Sequence, residues 1–175
     1  MIIRVAHKNE IEDIMFFYDE MCKVLDTANF LPEGNKGGFP SRKLVQESIE
    51  NEELFIGIED SRIMAGYIIN NQSDPSYDSV EWQITAKKEN ISILHALRVL
   101  PAYSGRGYSK KLVEHAINIA KKRNQIAIRL DCIEGNDVPQ KMYQSFGFKY
   151  IKTVGIKYDD IGKEMKFLLF ELILL

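Results

Sequence analysis

The stretch ISILHALRVLPAYSGRGYSKKLVEHAINIAKKRNQIAIRLDC, residues 91–132, contains the pattern that decides the fold of this chain. Its first part, Ile91 to Leu100, is apolar and predicts a long strand that Pro101 ends. A glycine-containing loop follows, and from about Tyr108 to Arg123 apolar residues recur at helical spacing. Apolar residues alternate from Ile126 to Cys132, which predicts another strand. A strand, a helix and a second strand in this order predict a right-handed crossover and a parallel pair of strands.

The segments on either side predict the other strands and helices of one α/β domain, residues 1–175. Hairpins would add antiparallel strands, and a turn-rich segment, Asp26 to Pro40, predicts a loop. We expect a mixed, mostly antiparallel central sheet with a parallel central pair and helices on both faces. The predicted flanking elements are a strand at 2–6, a helix capped by Asn9, a helix capped by Ser41, strands at 54–58 and 63–69, part of a strand at 80–86, a short helix that follows Asn136 and contains Pro139, and strands at 150–156 and 167–174.

Length and composition indicate a water-soluble globular protein. The chain has 175 residues, of which 45% are hydrophobic and 27% are charged, and its net charge is −2. This composition excludes a disordered, collagen-like or membrane-spanning chain, and the first residues lack the pattern of a signal peptide. Cys22 and Cys132 have no metal-ligand spacing, so we expect reduced thiols, no metal and a cytoplasmic protein.

The loop that precedes the long helix has the features of an anion site. Residues 98–125 hold seven Lys and Arg residues and a single acid, although the whole chain is slightly acidic. Two glycines leave the loop backbone open to a ligand, and a helix begins with free N–H groups and a partial positive charge. These features favour a phosphate at residues 104–110, while glycines that only shape a turn are the alternative. The pattern matches neither a Walker A loop nor the dinucleotide fingerprint.

Two motifs, LRVLPAYSGRGYSKKLV at 97–113 and NDVPQKMYQSFGF at 136–148, resemble the acyl-CoA signature of the GCN5-related N-acetyltransferase (GNAT) superfamily. Gly107 matches the central glycine of the first motif, and Asn136 and Tyr143 match the second. The resemblance implies a GNAT-like fold that binds acetyl-CoA between the strands at 93–99 and 126–132. The residues that it assigns to acetyl-CoA are Leu97, Arg98, Val99, Ser104, Gly105, Arg106, Gly107, Tyr108, Ser109, Lys110, Asn136 and Tyr143.

The same resemblance implies direct transfer of an acetyl group to the primary amine of a small molecule or peptide. Tyr143 matches the family tyrosine that protonates the departing CoA sulfur, and core packing is its alternative role. Strict alternation places His95 on one strand face with Leu97 and Val99, beside the expected thioester. His95 is therefore a candidate general base, with a structural role as the alternative. The acceptor pocket is expected to include Phe30, Glu81 and Trp82, with Asp131 and Glu134 as candidates to hold water.

Two other functions fit the same residues. The chain could bind acyl-CoA as a non-catalytic sensor or regulatory module, or it could hold another phosphorylated ligand, such as a nucleotide. The acidic and aromatic acceptor side favours a cationic amine, and neither nucleic acid nor a membrane is expected as a partner. The apolar strand at 167–174 could form a homodimer or could complete the sheet.

Overall fold

Seven strands and four α-helices make up the part of the chain that the computed structural model describes, residues 1–32 and 38–174. Part of the predicted loop at 26–40, residues 33–37, lies outside those ranges. In chain order the elements are β1 (Ile2–Val5), α1 (Ile11–Leu25), α2 (Arg42–Glu50), β2 (Leu54–Glu59), β3 (Arg62–Asn70), β4 (Ile91–Val99), α3 (Tyr108–Lys122), β5 (Ala127–Ile133), α4 (Asp137–Ser145), β6 (Lys149–Ile156) and β7 (Met165–Ile173).

All the strands belong to one mixed sheet, with the order β1-β2-β3-β4-β5-β7-β6. Strands β4 and β5 run parallel, and every other neighbouring pair of described strands is antiparallel. The predicted mixed sheet with its parallel central pair is therefore confirmed. Strand β7 is paired on one edge with β5 and on the other with β6, so the apolar segment at 167–174 completes the sheet.

The parallel pair is short, and this opens the sheet at its centre. Only Ile91, Ser92 and Ile93 of β4 pair with β5, although β4 continues to Val99. Beyond Ile93 the two strands separate, and one backbone edge of β4 has no neighbouring strand. A gap between parallel strands leaves main-chain N–H and C=O groups available to a ligand.

A bulge in β4 corrects the strict alternation that the sequence predicted. His95 lies opposite Ile68 and Arg98 lies opposite Gly66, so three steps along β4 match two steps along β3. Ala96, at the irregularity, has a φ of 50°, which is unusual for a residue other than glycine. The extra residue brings Arg98, rather than Leu97 and Val99, to the sheet face of His95.

Helices cover both faces of the sheet, as predicted. A Cβ added to Gly66 would lie 3.4 Å from atoms of Phe17 and Tyr18, so α1 packs closely on that face. The neighbouring residue Tyr67 points to the other face, where its hydroxyl lies 2.7 Å from Nδ1 of His115 in α3. His95 and Arg98 share the face of Gly66 and therefore project toward α1.

The predicted strand at 80–86 is wrong. This segment has no strand structure and crosses the sheet on the face of Ile91 and Ile93, where Val80 and Trp82 pack in the core. Its backbone is held by a side chain, because the N–H of Gln83 donates to Glu171 Oε2 at 2.8 Å. Apolar residues alternate here as they do in a strand, because an irregular segment packed on a sheet can show the same pattern.

The helix starts follow the predictions only in part. The Ser41 hydroxyl accepts a hydrogen bond from the N–H of Leu44 at 3.2 Å, so Ser41 caps α2 as predicted. Asn9 does not cap α1, because it lies inside a short 3₁₀ turn, and the helix begins at Ile11. Among the described residues, no helix has the length and apolar character needed to cross a membrane.

Candidate active site

A groove of about 960 Å³ opens where β4 and β5 separate. It is bounded by both strands, by α1 and α2 on one side, and by the start of α3 and α4 on the other. Of the residues that the sequence assigned to a site, those that line it are Phe30, His95, Leu97, Arg98, Val99, Ser104, Gly105, Gly107, Tyr108, Ser109, Lys110, Asp131, Asn136 and Tyr143. Sequence positions up to 113 residues apart thus meet in a single cavity.

The glycine loop presents free backbone N–H groups to the groove. Gly105 and Gly107 have φ angles of 76° and 74°, and a Cβ added to either would meet no atom within 4 Å. The first hydrogen bond of α3 runs from the N–H of Lys111 to Gly107 O at 3.2 Å. The N–H groups of residues 108–110 have no acceptor within the described part of the chain. These amides, at the positive end of a helix, can bind a diphosphate.

Of the two basic side chains Arg106 and Lys110, one lines the groove and the other lies outside it. Lys110 lines the groove. Arg106 does not, because its guanidinium lies 3.7 Å from Glu59 and 5.2 Å from the Tyr103 ring centre. Lys110 therefore lies where a ligand in the groove could meet its charge, whereas Arg106 forms an ion pair outside the groove.

The tyrosine of the second motif is well placed to act as an acid. The Tyr143 ring is buried, with 7% of its surface exposed, and packs edge-on against Phe148. Its hydroxyl has no hydrogen-bond partner among the described residues, yet it is not a fully buried atom, so it is open to the groove. Burial raises the pKa of Tyr143 well above its usual range. The phenol is protonated at neutral pH with or without this shift, so its hydroxyl carries a proton at the groove, although burial makes it a weaker acid than a free phenol.

His95 is held in one orientation by two acceptors. Its Nε2 lies 3.0 Å from both Asn70 Oδ1 and the Gln72 carbonyl oxygen, so Nε2 carries the proton and donates it. Nδ1 then keeps a lone pair for another partner. Burial lowers the pKa of His95 to about 4, so the imidazole is neutral at pH 7.

Because the His95 imidazole is buried, we expect it to lower the free energy of unfolding at acidic pH. The unfolded chain binds a proton at His95 near pH 6.5, whereas the folded chain does so only near pH 4. The contribution of His95 to stability is therefore fully present above pH 6.5 and is lost as the pH falls to 4, by about 3 kcal/mol in total. Urea unfolding at pH 7 and pH 5 measures the part of this loss that occurs above pH 5. The H95Q variant should lose less stability than the wild type, and equal losses would contradict this account.

Asp131, which the sequence suggested only as a candidate to hold water, lines the groove. Asp131 Oδ2 accepts hydrogen bonds from the hydroxyls of Tyr77, at 2.8 Å, and Tyr158, at 2.7 Å. Oδ1 has no such partner among the described residues and is not fully buried, so it is available to a ligand. Burial raises the pKa of Asp131, and the two hydroxyls partly offset the rise. The only sequence signal was an acid in an apolar strand.

The Arg98 side chain adds a positive charge on the α1 side of the groove. Its Nη1 donates to the Leu97 carbonyl at 2.9 Å, and no carboxylate of the described residues forms an ion pair with it. Its charge reaches Asp131 and Tyr143, where it opposes the rise in pKa that burial causes. The sequence had assigned only the backbone of Arg98 to a ligand.

The acceptor residues predicted from the sequence do not all reach the groove. Phe30 lines it, but Glu81 and Trp82 do not. The indole N–H of Trp82 donates to the Tyr77 carbonyl at 3.0 Å, and its ring centre lies 4.1 Å from Arg129 Cζ. Trp82 therefore supports the strands from outside the groove. No group of three or more potential metal ligands occurs among the described residues.

Comparison with known proteins gives matches across most of the chain. A model of the acetyltransferase (GNAT) family matches residues 19–148. The chain is 38% identical over 58 residues to the ribosomal protein bS18-alanine N-acetyltransferase of Haemophilus ducreyi. This aligned segment covers 33% of the present chain and 40% of the relative. The matched segment thus spans less than half the length of that curated relative.

Solved structures with low sequence identity share the fold. A GNAT-family acetyltransferase of Streptococcus agalactiae is 20% identical, with a TM-score of 0.74 over 98% of this chain and 94% of that one. The YncA protein of Salmonella typhimurium, solved with its cofactor acetyl-CoA, is 16% identical, with a TM-score of 0.70 over 100% of this chain and 94% of that one.

Proposed function

The chain belongs to the acetyltransferase (GNAT) family, whose enzymes depend on acyl-CoA, and from that premise we propose that it transfers an acetyl group from acetyl-CoA to a primary amine by direct attack. The observation that carries the proposal is the groove, where free amides at the start of α3 and the Tyr143 hydroxyl face one cavity. A donor held by those amides would bring its thioester close to this tyrosine.

The donor would bind along backbone more than along side chains. Its diphosphate accepts hydrogen bonds from the amides of residues 108–110, with Lys110 supplying positive charge. Its pantetheine arm lies along the open edge of β4, where Leu97 and Val99 supply main-chain groups as an adjacent strand would. Asn136 makes no capping bond to α4, so its side-chain amide is available to the donor.

The transfer itself needs three things from the protein. The incoming ammonium must lose a proton, because only the neutral amine has a lone pair to attack the thioester carbon. As the C–N bond forms, a main-chain N–H of β4 stabilises the negative charge on the carbonyl oxygen. When the C–S bond breaks, Tyr143 gives its proton to the departing thiolate.

We assign removal of the ammonium proton to Asp131, with His95 as the other candidate. Asp131 Oδ1 is an anionic oxygen open to the groove, so it can both hold the ammonium and receive its proton. His95 has a free lone pair at Nδ1, but its imidazole is neutral and supplies no negative charge to hold the ammonium. D131N should therefore reduce kcat more than H95Q.

The experiment that tests this function measures the release of free thiol from acetyl-CoA with a panel of primary amines. A thermal-shift series with acetyl-CoA, ATP and NAD accompanies it. We expect stabilisation by acetyl-CoA alone and thiol release with at least one amine. Stabilisation by ATP alone would refute the proposal, and acetyl-CoA binding without turnover would identify a non-catalytic acyl-CoA sensor.

A further inference from the structure

We infer that the acceptor is a free amino acid with an apolar side chain, whose carboxylate binds Arg98 and whose amine binds Asp131. The inference rests on the proposed function, because it names the substrate class of the same groove. The inference follows from the opposite charges of Asp131 and Arg98 and from the apolar residues that line the groove around them.

The two charges face one cavity without neutralising each other. Asp131 has a free oxygen, Oδ1, and Arg98 forms no ion pair with any described carboxylate, Asp131 included. Yet each side chain lies within electrostatic reach of the other. A partly buried, unpaired guanidinium is costly unless a ligand brings an anion to it. A zwitterion satisfies both groups at once, whereas a simple amine leaves Arg98 unpaired.

Two further carboxylates line the groove: Asp74 acts on Asp131, and Asp160 lies within electrostatic reach of Arg98 without forming an ion pair with it. Asp74 thus concentrates negative charge where the ammonium would lie. Arg98 projects from the other strand, toward α1. Its planar fork matches a carboxylate with two parallel hydrogen bonds. The bulge at Ala96 is what turns Arg98 to this face.

The wall on the α1–α2 side is apolar. Its residues are Met21, Leu25, Phe30, Leu31, Phe39 and Leu44. Such a wall stabilises an apolar side chain by removing it from water. A polyamine or an aminoglycoside would instead place additional positive charges against apolar groups and near Arg98.

A peptide or protein N-terminus fits less well than a free amino acid. In a peptide the group beside the terminal amine is a neutral amide, so it offers no charge to Arg98. The chemistry of the groove therefore favours a substrate that retains its own carboxylate.

Matched substrates test this inference on the unaltered protein. Phenylalanine and phenylalaninamide share a ring and an amine and differ in the carboxylate charge, while leucine and spermidine extend the comparison. We expect kcat/KM for phenylalanine to exceed that for its amide by about tenfold, as for the loss of one charged hydrogen-bonding partner. The kcat/KM for leucine should be similar to that for phenylalanine, and the kcat/KM for spermidine should be much lower than either.

A variant locates the effect on Arg98. R98Q should lower kcat/KM for phenylalanine about tenfold more than for phenylalaninamide. R62Q replaces an exposed arginine of the β2–β3 hairpin. This variant should keep the wild-type ratio of kcat/KM for phenylalanine to kcat/KM for phenylalaninamide. Equal use of amino acid and amide by the wild type, or a preference for spermidine, would overturn the inference.

A binding measurement tests the inference separately from the proposed acetyl transfer. If no amine releases thiol, calorimetric titration of phenylalanine and its amide into the CoA-bound protein decides the question. Tighter binding of the amino acid would support the inference while refuting transfer. Equal binding, or no binding of either, would overturn it.

Discussion

Replacing Tyr143 with phenylalanine should lower kcat for acetyl transfer by about 10²- to 10⁴-fold, the usual contribution of a general acid. The departing thiolate would then have to take its proton from water. The ring of Tyr143 is buried against Phe148, and phenylalanine keeps that packing. Because the hydroxyl has no partner among the described residues, the variant should unfold at the same temperature as the wild type. Acetyl-CoA should bind it with unchanged affinity.

The matched control is Tyr150→Phe, which removes a hydroxyl from an exposed ring on β6. Its kcat should equal that of the wild type. A Y143F enzyme that keeps kcat within twofold of the wild type would show that another group protonates the sulfur, and would return Tyr143 to a packing role.

Replacing Gly107 with alanine should weaken acetyl-CoA binding by about 10- to 100-fold, the effect of losing one charged hydrogen bond. The φ of Gly107 is 74°, and its missing side chain faces open space in the groove. A methyl group there contacts no protein atom but obstructs the diphosphate. Titration of acetyl-CoA measures the loss.

Gly162 provides the control for backbone strain. Its φ is 77°, an added Cβ also meets nothing within 4 Å, and it does not line the groove. Alanine at either glycine therefore has the same conformational cost, about 1–2 kcal/mol. G162A and G107A should lose similar stability, but only G107A should lose affinity for acetyl-CoA. Equal affinity in the two variants would argue against a diphosphate at the loop.

The fold was predictable because its central unit is local in sequence. The apolar run of β4, the glycine loop and the helical stripe of α3 are contiguous, and their order implies the parallel pair. Gly105 and Gly107, which the sequence places in a loop before a helix, adopt positive φ angles that glycine permits. The same reasoning failed at 80–86, where apolar residues alternate but Glu171, distant in sequence, accepts the backbone hydrogen bond.

The acceptor side was harder to predict because tertiary contacts create it. Strict alternation cannot reveal the bulge at Ala96, and without the bulge Arg98 would point away from His95. The role of Asp131 depends on Tyr77 and Tyr158, which lie 54 and 27 residues from it in sequence. Trp82 has the composition of a pocket residue, but it packs over Arg129 instead.

The most direct measurement compares the binding of acetyl-CoA with that of S-acetylpantetheine, which lacks the diphosphate and nucleotide. If the amides at the start of α3 hold the diphosphate, acetyl-CoA should bind the wild-type protein at least about 100-fold more tightly. Equal affinities for the two thioesters would show that this loop does not bind the donor, and would contradict the proposed site.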